Sequence, residues 1–63
     1  MYTLLVYHPG EKAARATIKV PKAADVLTTI PEVLAEHHTC EHVVVMLDDI
    51  RLFAVDCVGN RLP

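Results

Sequence analysis

The chain has no serine, two glycines, two tyrosines and one phenylalanine. Without serine there is no Gly-x-Ser-x-Gly elbow to present a hydroxyl nucleophile. Gly10 and Gly59 stand far apart, so no glycine-rich loop can cradle a phosphate, and no His-Glu-x-x-His helix offers a zinc-protease site. Tyr2, Tyr7 and Phe53 make a thin platform for stacking nucleobases. No apolar run approaches the roughly 18–20 residues of a membrane span, and no leader precedes the first strand-like residues. These absences predict a cytoplasmic protein with no membrane partner, no small-molecule substrate and no enzymatic activity. In that compartment its two cysteines stay reduced.

What is present fits one small domain. Sixty-three residues form a single unit, 1–63, and a chain this short buries only about 60% of its unfolded surface. The apolar fraction is 52%, above the roughly 45–50% of an ordinary globular chain. That surplus favours a partner subunit. Net charge is -2, unevenly spread: residues 1–22 hold Lys12, Arg15, Lys19 and Lys22 against Glu11 alone. Nucleic-acid modules usually carry a stronger basic excess, so this strip reads as the charged margin of an edge strand.

Tyr2 to Tyr7 is apolar on both sides, which predicts an interior strand. His8-Pro9-Gly10-Glu11 has the residues of a turn. From Arg15 to Val20 the alternation is clean, with Ala16, Ile18 and Val20 on one side and Arg15, Thr17 and Lys19 on the other, and that predicts a half-solvated edge strand. Between Ala23 and His38 the period changes. Val26, Leu27, Ile30, Val33, Leu34 and His37 form the stripe of an amphipathic helix. Pro31 would cost about 3 kcal/mol or more in a helix interior. Thr29 and Glu32 have capping-box spacing, so the main helix is expected to start beside Pro31, with residues 23–28 a separate helical turn or a kinked continuation.

Cys40 to Cys57 carries two β-branched runs around Asp48-Asp49 and predicts a hairpin. A two-residue loop pairs Leu47 with Ile50. Period two then puts Val43, Val45, Leu47, Ile50, Leu52 and Ala54 on one face, and Cys40, His42, Val44, Met46, Arg51, Phe53, Val55 and Cys57 on the other. Val58 to Arg61 reads as a turn with too little chain beyond it for another element. The expected architecture is a two-layer α+β domain, ββαββ, with one helix on one face of a four-stranded, mainly antiparallel sheet.

Two features could carry function. The first is the sheet face away from the helix, where Val44, Met46, Arg51, Phe53 and Val55 have the composition of an interface core with a charged margin. It predicts a homodimer, or docking of another protein, and a non-catalytic regulatory module. The second is the cluster around Cys40. Its cysteines are reduced apolar residues, or Cys40, His42 and Cys57 hold zinc with His38 or His37 as fourth ligand, or a Cys–His pair does thiol-redox chemistry. The zinc reading departs from the usual Cys-x₂₋₄-Cys knuckle. A nucleic-acid module using Arg15, Lys19 and Lys22 is the third option.

Overall fold

A computed structural model describes every residue from Met1 to Pro63. Its elements are β1 (Tyr2–Tyr7), β2 (Ala16–Val20), α1 (Ala23–Glu36), β3 (His42–Leu47), β4 (Ile50–Asp56) and β5 (Arg61–Leu62). All five strands form one antiparallel sheet in the order β2-β1-β3-β4-β5. Since β2 and β3 both run antiparallel to β1, they run parallel to each other, and α1 is the crossover between them. The two-layer α+β reading holds, with β1 interior and β2 at an edge.

Buried Leu4, Val6, Val43 and Val45 lie beneath the helix, whose inner face contributes Val26, Ile30 and Val33. Val20, Cys40 and Val55 complete the cluster. The helix lies over β1 and β2. Leu27, which the stripe placed inward, is 71% exposed. No helix is long and apolar enough to cross a membrane.

Three expectations need correction. The helix is continuous from Ala23 to Glu36 with Pro31 inside it, so residues 23–28 are not a separate turn, and Thr29 caps nothing. Its hydroxyl donates back to the Asp25 carbonyl at 2.6 Å, and Thr28 donates to the same oxygen at 3.0 Å. Pro31 is tolerated because it lies on the outer surface, and the carbonyl it leaves without an amide partner belongs to exposed Leu27, within reach of water.

The sheet also has a fifth strand where a turn and tail were expected. Asp56 builds it. Its Oδ1 accepts from the Val58 and Asn60 amides at 3.0 and 2.8 Å, and its own N–H donates to the Asn60 carbonyl at 2.8 Å. Gly59, at φ +94, completes the reversal. With the turn fixed, two residues suffice to pair Leu62 with Ala54 and Arg61 with Val55.

The third correction concerns the hairpin. Leu47 pairs with Ile50 and Met46 with Arg51 as expected, but the register then shifts by one, so that Val45 faces Phe53 and Val43 faces Val55. Leu52 has no partner. One extra residue in a strand exchanges the faces of everything beyond it. Phe53 and Val55 therefore point toward the helix side and pack on the core, whereas Ala54 lies on the opposite face. The shift hides the larger pair, Phe53 and Val55, in place of Leu52 and Ala54. The Arg61 guanidinium then covers the Phe53 ring at 4.4 Å, a cation–π contact.

Substitutions at neighbouring β4 positions separate the two registers. Phe53→Ala is expected to cost about 3 kcal/mol, and Leu52→Ala to stay within about 0.5 kcal/mol, both read by urea denaturation. The reverse order would restore the unshifted pairing.

Candidate functional site

Chemistry-bearing side chains gather at one end of the sheet, where β1 ends, α1 ends, β3 begins and β4 ends. α1 closes with the His37 amide donating to the Val33 carbonyl at 2.9 Å. A turn follows in which the Cys40 amide donates to the His37 carbonyl at 2.9 Å. The Glu41 amide then reaches the Tyr7 carbonyl at 2.8 Å and starts the pairing of β3 with β1. That bend sets the site, because it leaves Cys40 and His42 on opposite sides of the sheet although they are two residues apart.

Cys40 is buried in the core and Cys57 is half-buried beside it. Their Sγ atoms stand 2.7 Å apart, and the Cys57 thiol also lies 3.2 Å from the His37 carbonyl, to which it donates. Burial, and then the adjacent Cys57, push the Cys40 thiol up to about 12. The two sulfurs meet beyond the last paired residues of the ladder, His42 and Asp56.

The other expected ligands are elsewhere. His42 lies on the face away from the helix, stacked on Tyr7 with ring centroids 4.8 Å apart, and its Nδ1 is 3.1 Å from Glu41 Oε1. His38 is exposed in the turn. Cys40, His42, Cys57 and His38 therefore do not converge as the zinc reading required, and no three His, Cys, Asp or Glu side chains are grouped to hold a metal ion. The bend at Glu41 is the physical reason.

On the other side of His37 from the sulfurs stands a residue that turn chemistry alone had claimed. His8 is 6% exposed, and its Nε2 lies 3.3 Å from His37 Nδ1, with the rings edge to face. Burial, and then the Arg15 charge, hold the His8 imidazole below its ordinary 6.5. The hydrogen bond needs one nitrogen to donate and the other to accept. Strand parity was the missed signal: His8 continues the inward series Leu4, Val6. Arg15 itself is bound to Glu11, whose carboxyl is held below its usual range first by that hydrogen bond. The basic strip is thus partly neutralised within the chain.

The face away from the helix is organised in rows across the strands. The middle row runs Thr17, Leu5, Val44, Ala54, Leu62. One flank carries Lys19, Thr3, Met46 and Arg51, and the other carries Tyr7, His42 and Asp56. Val44, Met46 and Arg51 lie where the interface reading placed them. Phe53 and Val55 do not, since the register shift turns both to the helix side.

His8 generates an acid-labile term in stability. Its folded value lies below 6.5, so under that pH the unfolded chain binds a proton that the folded chain resists. The contribution is whole above the unfolded value and is lost as pH falls through the lowered, folded one. Melting temperatures from about pH 8 to about pH 5 should fall with acid, and His8→Gln should flatten that slope. An equally steep slope in the variant would place the effect elsewhere.

Compared with known proteins, the chain matches no family model, no curated protein and no solved structure.

Proposed function

We propose that the chain is a non-catalytic homodimeric interaction module that pairs through the sheet face away from its helix. The observation that carries this reading is the apolar row Leu5, Val44, Ala54, Leu62, in which half-buried Leu5 and Leu62 stand either side of Val44 and Ala54, themselves already shielded by their neighbours, bordered by flanks of different charge. Arg51 and Lys19 stand on one flank and Asp56 on the other, where the charge of Arg15, on the same face as Thr17, is already met by Glu11. A two-fold axis along the middle row lays each flank over the opposite flank of a second copy. Strand then covers its own counterpart, so Arg51 on β4 meets Asp56 on the partner's β4, and the same contact recurs across the axis. An isologous interface of this kind is closed and self-complementary.

A partner subunit would also add to the stability of so small a chain. A 63-residue chain buries about 60% of its unfolded surface, and its core alone is marginal. A standard interface removes about 800 Å² per partner, close to a fifth of the chain's 4155 Å². Each apolar Å² removed from water contributes about 25 cal/mol. The paired charges mainly set orientation, being near the rim. Phe53 belongs to the core, so changing it tests the fold and not this surface.

Arg51 is exposed and makes no side-chain hydrogen bond or ion pair within its own chain. Arg51→Glu should therefore fold normally by circular dichroism while setting acid against Asp56 of the second copy. Sedimentation at tens of micromolar is expected to give a dimer for the wild type and a shift of at least about tenfold toward monomer for the variant. A monomeric wild type would sink the proposal, as would a variant that dimerises equally well.

A further inference from the structure

The two thiols at the end of the sheet are placed to react with each other, and the surface pairing above uses neither. We propose that Cys40 and Cys57 are a peroxide-oxidisable pair that closes a reversible disulfide between the turn after α1 and the end of β4. Three observations support it. The sulfurs are 2.7 Å apart, and a bond would join them at about 2.05 Å with little movement of either side chain. The pair is graded in access, since Cys57 is half-buried while Cys40 is 7% exposed, so an oxidant arriving from solvent meets Cys57 first. The backbone on each side is already fixed, by the Cys40 amide on the His37 carbonyl at 2.9 Å and by the Asp56 turn that follows β4.

The chemistry divides between the two residues. Cys57 gives up the proton it holds toward the His37 carbonyl and, as its thiolate, attacks hydrogen peroxide; an S–O bond forms, the O–O bond breaks, and hydroxide leaves to combine with that proton as water. The Cys40 sulfur then attacks the Cys57 sulfenic acid; the S–S bond forms, the S–O bond breaks, and the thiol proton departs with the oxygen as water. In net terms two thiols and one peroxide give one disulfide and two waters, the sulfurs losing two electrons that the peroxide gains. The high proton affinity of the buried Cys40 leaves the first attack to Cys57; in the second, contact between the sulfurs lets the Cys40 proton pass to the leaving oxygen as the bond forms. Closing the bond removes the hydrogen that Cys57 donates to the His37 carbonyl, so oxidation is felt at the turn that carries the His37–His8 contact.

Titrating the reduced full-length chain with hydrogen peroxide, followed by thiol counting and non-reducing peptide mapping, tests this. The expected result is loss of both thiols together, a mass lower by two hydrogens, a Cys40–Cys57 peptide within one chain, and full recovery with dithiothreitol. Cys40→Ser should stop at a sulfenic acid on Cys57 that dimedone traps. Cys57→Ser should lose its remaining thiol at least about tenfold more slowly. Bridges between chains, direct passage to sulfonic acid in the wild type, or a Cys57→Ser variant that reacts as fast would each overturn the assignment. The wild-type peptide map decides the matter even if a serine variant folds poorly.

Discussion

A pleated strand offers each side chain a choice of two faces, and one unpaired residue reverses that choice for all that follow. In this protein Leu52 is that residue. The bulge turns Phe53 and Val55 inward and leaves small Ala54 outward, and both layers depend on the exchange. Inside, it fills the part of the sheet that α1, lying over β1 and β2, does not cover. Outside, it keeps a low apolar floor between two taller, polar flanks. β5, which the Asp56 turn builds, gains a contact from the same event, because Arg61 lies over the Phe53 ring only when that ring faces the helix side.

A single carbonyl organises the far end of the sheet. The oxygen of His37 receives the Cys40 amide and the Cys57 thiol, while the imidazole of the same residue meets His8. Helix ends leave carbonyls in need of donors, and here the donors come from the turn after α1 and from the turn after β4. Protonation and oxidation thus converge on one short turn. No buried side-chain nitrogen or oxygen is left without a partner, so the polar atoms beneath the helix cost little to keep there.

Periodicity made most of the fold legible. The clean alternation of Ala16, Ile18 and Val20 placed an edge strand, and the spacing of Val26, Ile30 and Val33 placed a helix. The faces of β4 were not legible, because Ile50 to Val55 is apolar at nearly every step and either register buries something acceptable. Only the competition between the bulk of Phe53 and that of Leu52 decides it, and that depends on three-dimensional packing. Of the candidate site, the meeting of Cys40 with Cys57 was expected, though from an unshifted register; in the structure His42 faces Asp56 at that end, and the bend at Glu41 returns Cys40 to Cys57. The separation of His42 from them was not expected, since the bend at Glu41 breaks the parity that the reading assumed. His8 was hidden by its neighbours Pro9 and Gly10, whose turn signal outweighed the strand parity it extends.

The crossover has a kinetic corollary. The β1–β2 and β3–β4 ladders each join neighbours in sequence, and hairpins of this kind close in about 1–10 μs. The seam between them is different: Tyr2 pairs with Leu47 and Tyr7 with His42, so the whole of β2 and α1 lies within the loop that this pairing must close. Loop-closure entropy is paid before any of the seam's contacts form. The entropy of closing that loop therefore falls on the docking of the two ribbons along β1 and β3, where buried Leu4 faces Val45 and buried Val6 faces Val43.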